Sequence, residues 1–396
     1  MGRLYLAWKY ICFYKFKTVV LLACLFLTLF LPIAIEILLS RFEESVVARA
    51  ESTPIVIGPK GSRFDLTLRT LYFRMQNGES NALPTLRFGE VQEVDQAGLA
   101  KAIPIYSKYT ASSYPIVGTN RDYFQLRQLE IANGDPLVQI GDCVIGNELA
   151  KKLGIECGDK LLSDMKSVIS LASHPLKMHV RGILTANQSP DDWAVFVDLK
   201  TAWIIDGIGH GHQDVEEVDE AQLLSKSDDK IIASAAVLPF TEITAGNIAS
   251  YHFHGDITDF PITSMIAVPM DEKSETILIG RYQNSKLQEQ LIIPRDVIGE
   301  LMGLVFQVKR FFDANAILIA VSTILLLVLI IALSIKIRDA ELATMFKIGA
   351  AKNTISKLLV YEFVIVFATS LMLVLVASRM LLHFSDAIVR SLLVGV

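Results

Sequence analysis

Residues 294–362 read PRDVIGE LMGLVFQVKR FFDANAILIA VSTILLLVLI IALSIKIRDA ELATMFKIGA AKNTISKLLV YE. Val297, Leu301, Leu304, Val308 and Phe311 recur at steps of 4, 3, 4 and 3 residues. That is a seam of period near 3.5, suited to pairing with a second helix. Pro294 fits the first turn of this stalk helix, where no amide donor is needed. The seam leads into Ala314–Ile335, long and apolar enough to span a bilayer. Lys336-Ile-Arg-Asp-Ala-Glu341 follows, then Met345-Phe-Lys-Ile-Gly-Ala350, and from Leu358 the next apolar run begins. The stretch reads as a helix outside the membrane, a span, a short charged helix and the start of another span. It forms a rod between an outer domain and the cytoplasmic side.

The rest of the chain fits that frame. Of 396 residues, 52% are hydrophobic, high for a soluble protein and low for a bundle made only of spans. The net charge of −5 leaves no nucleic-acid footprint. Three segments qualify as spans: Thr18–Leu39, Ala314–Ile335 and Leu358–Leu382. Arg3, Lys9, Lys15 and Lys17 precede the first, and Lys336, Arg338, Lys347, Lys352 and Lys357 lie between the other two. The positive-inside rule puts both flanks in the cytoplasm and Ser40–Asp313 outside. The first run is too long for a signal-peptide core, and Ala48-Arg-Ala50 lies well past it. Glu36, in the outer half of that span, reads as a carboxylate near the interface.

The expected fold class is an α-helical membrane protein of three transmembrane helices. A large α/β (α+β) extracytoplasmic domain is inserted between the first and second. The expected divisions are a cytoplasmic N-terminus (1–17), helix 1 (18–41), the outer domain (42–293), the stalk (294–313), helix 2 (314–336), a cytoplasmic segment (337–357), helix 3 (358–382) and a tail (383–396). Arg41–Ala50 extends the first span as a helix whose Leu39, Phe42 and Val46 face is the natural partner of the stalk seam. In the outer domain, Ile55–Ile57, Ala102–Tyr106, Tyr114–Val117, Asp142–Gly146, Lys177–Leu184, Ala194–Val197 and Ile231–Leu238 read as strands. Arg63–Met75, Asn147–Leu153, Leu199–Ile205 and Ile243–Tyr251 read as helices. Val215–Lys230 reads as an acidic exposed loop or solvated helix.

The sequence has no Gly-x-x-x-x-Gly-Lys-Ser/Thr, no Gly-x-Ser-x-Gly and no His-Glu-x-x-His. No ATP-binding loop is therefore expected in this chain, and no catalytic residue. The histidines are unevenly spread: His210-Gly-His212 and His252-Phe-His254 form two His-x-His pairs. Imidazoles two apart in an extended segment share a face and can chelate a divalent ion such as zinc, with Asp214, Glu216 or Asp256 as further oxygen ligands. Solvated loop histidines are the alternative. Cys143 and Cys157 lie outside and bracket the helix Asn147–Leu153. They read either as a disulfide or as two small buried apolar groups.

The loop and third span resemble the FtsX-like permease domain of MacB-type ABC transporters. The residues that carry the resemblance are Arg338, Glu341, Gly349-Ala350 and Glu362, at the family's spacing. Val117–Phe124, Cys143–Ala150 and Leu153–Lys160 are similar, in order and context, to segments of the family's periplasmic core domain. The resemblance implies a permease half, its FtsX-like part at about 314–396, without ATPase activity. It implies a second copy (homodimer) or a related permease, and a dimeric ATP-binding subunit that holds the ATP and magnesium. A periplasmic adaptor or lipoprotein is a further implied partner. Arg338, Glu341, Gly349, Ala350 and Glu362 would then couple to the ATPase through a helix at the membrane surface, and motion rather than threading would pass to the outer domain. The implied location is the bacterial inner membrane, multi-pass. The family's fourth span has no counterpart: Ile388–Val396 is apolar but too short to cross, so the expectation is either a C-terminus outside or a truncated or degenerate permease.

The reading from sequence is thus a permease subunit of an ABC transporter that moves a periplasmic domain to export, extract or hand over an envelope substrate. Its rivals are an FtsX-like regulator of a cell-wall hydrolase and a metal-handling envelope module. The topology is testable first. Protease added to cells with a permeabilised outer membrane should cut within Ser40–Asp313 and leave Arg338–Lys357 protected. Cleavage of both segments from the same side removes the rod and the reading with it.

Overall fold

Two kinds of sequence pattern, unbroken apolar runs and alternating ones, build two units in the computed structural model. It describes residues 2–74, 84–165, 175–211, 223–227, 230–233, 241–283, 287–337, 344, 347, 349 and 352–394. One unit comprises Met1–Ser45 with Glu300–Val389, the other Val46–Gly299 with Arg390–Val396.

Along the chain, α1 (Gly2–Phe13) is followed by α2 (Lys15–Glu51), so the first apolar run and Arg41–Ala50 form one helix with Pro32 inside it. Next come β1 (Ile55–Pro59) and α3 (Arg63–Tyr72), whose N-cap Ser62 accepts from the Asp65 amide. β2 (Leu86–Arg87), α4 (Phe88–Gln96), β3 (Ala100–Ala111), β4 (Tyr114–Thr119) and α5 (Arg121–Leu126) follow. After them lie β5 (Ile131–Gly134), β6 (Asp142–Ile145), α6 (Asn147–Leu153), β7 (Lys160–Leu162) and β8 (Leu176–Leu184). A 3-10 turn, Pro190–Trp193, leads into β9 (Val195–Asp198) and α7 (Leu199–Asp206). The remaining strands are β10 (Gly209–Gly211), β11 (Leu223–Ser227), β12 (Lys230–Ala233), β13 (Thr241–Glu242), β14 (Tyr251–Phe253), β15 (Pro261–Ile262) and β16 (Ser264–Pro269). The described elements end with α8 (Glu272–Tyr282), β17 (Glu289–Ile292), α9 (Pro294–Ile337) and α10 (Lys352–Val394).

Among the described residues, the main sheet of the α/β unit has the order β13-β8-β6-β9-β4-β3-β16-β1-β17, with β5 and β7 also on β8. It is mixed: β4–β9, β6–β8 and β8–β13 are parallel and the other pairs antiparallel. Its middle strands, β3, β4, β6 and β9, are buried almost throughout, as strands covered on both faces must be. A register shift between Tyr106 and Tyr109 puts one extra residue in β3. Without it, residues three apart would point to opposite faces. With it, both phenols donate to Asp206, Tyr106 at 2.5 Å.

Two local expectations fail. Leu223–Ser227, read as loop or solvated helix, is a strand paired with Lys230–Ala233; its few apolar residues gave no period to read. Ile243–Tyr251 is not an α-helix but a 3-10 turn at Ile248–Ser250 leading into β14. Asn247 accounts for this: its carbonyl accepts from the Thr244 amide at 2.7 Å and its amide donates to the Glu242 carbonyl at 2.9 Å. Such short-range bonds offer the backbone an alternative to the helix.

Among the described residues, three helices are long and apolar enough to cross a membrane. Thr28 and Thr323 hydroxyls meet at 2.9 Å, and Lys309 pairs with Glu36 at 2.7 Å. Contacts that advance along α2 while retreating along α9 make these two helices antiparallel. Leu21, Leu25 and Val366 form a small core, with Leu327, Ile330 and Phe363 packed against it.

In the α/β unit, the last turn of α2 is fixed by one buried side chain. Arg49 makes a two-pronged bond to Asp191, Nη1 to Oδ2 at 2.5 Å and Nη2 to Oδ1 at 3.0 Å. Its Nη2 also donates to the Tyr123 hydroxyl (2.9 Å) and its Nε to the Leu71 carbonyl (3.2 Å). The Tyr123 hydroxyl donates to Asp191 Oδ1 at 2.6 Å. Asp191 is fully buried in the Pro190–Trp193 turn, which Ser189 caps and Pro190 opens. Arg127 holds the chain just after α2 through the Ser52 and Thr53 hydroxyls at 2.9 and 2.7 Å.

Burial alone would raise the Asp191 pKa. The Arg49 charge and the hydrogen bonds from Arg49 and Tyr123 outweigh it and hold the carboxyl below its usual range. A depressed carboxyl contributes stability that is complete above its unfolded value, about 3.9, and is lost as pH falls through its lower folded value. Asp191→Asn should therefore destabilise the protein at neutral pH by about 3–5 kcal/mol, the cost of leaving a buried charge unpaired. The wild type should lose the same contribution only below about pH 4. Urea unfolding of the detergent-solubilised protein, followed by tryptophan fluorescence against pH, checks both; a wild type that loses stability at pH 5–6 in step with the variant's deficit refutes the assignment.

Candidate functional site

Of the residues singled out for coupling, Arg338, Glu341 and Ala350 lie outside the described residues. Gly349 stands in a turn with φ +102, a backbone conformation that favours glycine, and a Cβ there would meet nothing within 4 Å. Glu362, one turn into the apolar part of α10, is buried and accepts from Lys17 Nζ at 2.9 Å. Lys17 opens α2, so this pair ties the starts of two long helices together. Beside it the Thr18 hydroxyl donates back to the Tyr14 carbonyl at 3.1 Å. Reading the sequence gave Lys17 only as one of several flanking positive charges, and no pattern in the sequence tells it from Lys15.

The stalk seam divides in two. Val297 is buried and Leu301 half-buried, whereas Leu304, Val308 and Phe311 are 56%, 56% and 68% exposed. The expectation that the Leu39–Val46 face of the same chain covers the whole seam is thus corrected. Side chains this exposed are not covered by any helix among the described residues, although the spacing that marks them as a seam is real.

The cysteines are also a correction, because both are free thiols. Cys143 is fully buried in β6, paired in register with Val180 of β8. Cys157 is exposed just before β7, and its thiol donates to the Arg181 carbonyl at 3.0 Å. β8 is the reason they do not meet: β6 lies along one of its edges and β7 pairs with the other. Two strand spacings, about 9.6 Å, exceed the reach of a disulfide. Burial, with the nearby Asp142 carboxylate, pushes the Cys143 thiol well above its usual pKa, so it is unreactive.

The histidine pairs are brought together across the fold. β10 and β14 are antiparallel, with His210 directly opposite His252. His254 follows His252 by two residues and so shares its face. Ring centroids lie 4.9 Å (His210–His252), 5.0 Å (His210–His254) and 4.7 Å (His252–His254) apart. His212, Asp214 and Glu216 lie outside the described residues. Asp256 serves instead as a cap, accepting from the Thr258 amide at 2.9 Å. His179 belongs to a separate surface cluster, meeting Glu242 at 3.1 Å beside Lys177 and Lys160.

The sequence reading missed the Arg49–Asp191–Tyr123 cluster altogether, since its members lie 142 and 74 positions apart. The one available signal was a lone arginine in the last turn of the helix that continues an apolar run.

The family of the MacB-like periplasmic core domain matches residues 44–236. No curated protein matches the chain. Among solved structures, the chain is similar to the periplasmic region of MacB from Actinobacillus actinomycetemcomitans, at 11% identity and TM-score 0.36, over 64% of this chain and 95% of that one. It is also similar to the extracellular domain of the noncanonic ABC-type transporter YknZ from Gram-positive bacteria, at 10% identity and TM-score 0.32, over 60% of this chain and 98% of that one. At those scores the structural likenesses add nothing to the family match. Residues 44–236 match the family of the MacB-like periplasmic core domain, and the described residues of the chain include three helices long and apolar enough to cross a membrane, a combination that resembles the permeases of ABC-type transporters.

Proposed function

We propose that this chain is the permease half of a MacB-like transporter in which a separate ATP-binding subunit does the hydrolysis and the outer domain is moved, not threaded. The match of residues 44–236 to the MacB-like periplasmic core domain carries the reading. The apolar part of α2 precedes that match in the chain, and α9 and α10 follow it. The positive residues flanking the first span and those between the other two support a cytoplasmic face for both flanks. The segment between α9 and α10 is then the contact for the ATPase, with Arg338, Glu341, Gly349 and Ala350 as its coupling residues and Glu362 fixing the base of α10 on α2.

A second copy of the chain would cover Leu304, Val308 and Phe311. These three residues form an exposed stripe whose helical spacing needs a partner. What moves is then a paired stalk, and the cargo is an envelope substrate expelled or handed on outside the inner membrane.

Two experiments test this. Purification from native membranes should bring down an ATP-binding subunit whose hydrolysis rises with this chain present. Glu341→Lys should return hydrolysis to the rate of that subunit alone while membrane insertion stays normal. Unchanged stimulation sinks the coupling role.

The second experiment concerns the Lys17–Glu362 pair. Glu362→Lys or Lys17→Glu alone should lower the melting temperature of the detergent-solubilised protein, because each buries like charges together. The double swap should recover most of the loss. If the swap melts no higher than the worse single variant, the pair does not hold the helices.

A further inference from the structure

We propose that His210, His252 and His254 form a binding site for a divalent transition-metal ion, with zinc as the expected occupant. Among the described residues these three make up a group whose potential ligand atoms all lie within 4.8 Å of one another. The site lies wholly within the α/β unit.

The fold presents these rings deliberately in one direction. Phe253, between His252 and His254, turns to the opposite face, where its ring packs on Trp203 and Phe260 at centroid distances of 6.3 and 5.8 Å. Trp203 is itself fixed by a bond from its indole nitrogen to the Pro261 carbonyl at 2.8 Å. β14 therefore cannot slip by one residue without taking Phe253 out of the core, and the histidine face is set by that anchor.

On the facing strand, glycines flank His210. A Cβ at Gly209 would stand 2.5 Å from the Phe253 ring, and one at Gly211 would stand 2.7 Å from the Tyr251 ring. Only glycine lets both aromatic rings lie across β10, and the histidine between them faces outward with the other two.

The protonation pattern suits ligation. His252 Nδ1 lies 3.1 Å from the Ser250 carbonyl, which can only accept, so Nδ1 carries the proton and Nε2 has its lone pair available. A ring nitrogen bonded to a backbone carbonyl is the usual outer support of a metal-bound histidine. His252 Nε2 is 3.1 Å from His254 Nε2. Two ligands of a tetrahedral zinc with bonds of about 2.05 Å stand about 3.3 Å apart. Those two atoms thus need almost no movement to share an ion, and His210 needs a small side-chain rotation.

Three imidazole ligands favour zinc, copper(II) or nickel over magnesium or calcium, which prefer oxygen ligands. Three protein ligands leave a fourth position for water or for a donor atom of a bound molecule. In the absence of metal, the 3.1 Å contact is a hydrogen bond donated by His254 Nε2 to His252 Nε2.

The test uses the full-length protein in detergent, carrying an affinity tag without histidine, and Zn²⁺ alone as the probe. Equilibrium dialysis should show one saturable zinc per chain at low micromolar free metal or tighter. His252→Gln and His254→Gln should each weaken it by about tenfold or more, and His179→Gln should not. Co²⁺ should give the intense visible bands of a four- or five-coordinate ion, a readout on the unmutated protein that does not depend on how the variants fold. Three results would each overturn the proposal: no saturable binding, equal binding by the His210→Gln/His252→Gln/His254→Gln protein, or a pale six-coordinate Co²⁺ spectrum.

Discussion

The α/β unit depends on one buried charge. Arg49 has nowhere to put a positive guanidinium except against Asp191, and Asp191 is fully buried. Taking both ions out of water is expensive, and their attraction offsets the cost only where the remaining donors and acceptors are also satisfied. Here they are: Tyr123 bridges the two, Leu71 takes the guanidinium Nε, and Ser189 bonds the second carboxylate oxygen at 2.9 Å. An apolar contact in the same place would stabilise the unit as well but would tolerate sliding. A planar fork on a carboxylate fixes distance and angle together. The last turn of α2, the end of α3, the start of α5 and the turn before β9 all meet at this one pair.

The helical unit solves a different problem by similar means. In lipid, apolar side chains gain little by leaving the solvent, so packing and polar contacts must hold helices together. The Leu21–Leu25–Val366 cluster is small. Among the described residues, directional contacts between the helices of this unit include Lys17–Glu362, Thr28–Thr323 and Glu36–Lys309. They lie at three heights along α2, which fixes the register of its neighbours. Glu36, an odd carboxylate in an apolar run, thus has an ordinary use as the partner of Lys309.

What the sequence disclosed follows from the range of each signal. Spans declare themselves through twenty-odd consecutive residues, and short elements such as Asn147–Leu153 through their own caps and period. β1, β4 and β9 are visible as runs of Val, Ile and Phe between turn residues, and β8 as an alternating stretch. Pairings between distant residues leave no such trace. Arg49 with Asp191 and Lys17 with Glu362 are invisible because either partner alone is an unremarkable charge. The cysteine question turned on which strand lies between β6 and β7, a fact of topology that the spacing of Cys143 and Cys157 does not contain. The histidine pairs were half legible: His252 and His254 share a face by the period of a strand, but nothing local says that His210 lies opposite His252.

The two exposed features of the chain, the stalk stripe and the histidine face, differ in what holds them exposed. Leu304, Val308 and Phe311 project from a helix whose interior would keep its shape whichever way they pointed, and leaving large apolar groups in water is unfavourable. On the proposed reading, a second copy of the chain covers such a stripe. The histidine face is held outward from within, by Phe253 in the core and by glycines that yield to two aromatic rings. Its exposure is built by packing on the other side of the strand pair and needs no partner to persist. A surface of the first kind needs cover from outside, as the proposed paired stalk would supply. One of the second kind is a ready-made set of donors, whose geometry exists before any ligand arrives and so need not be formed at the ligand's expense.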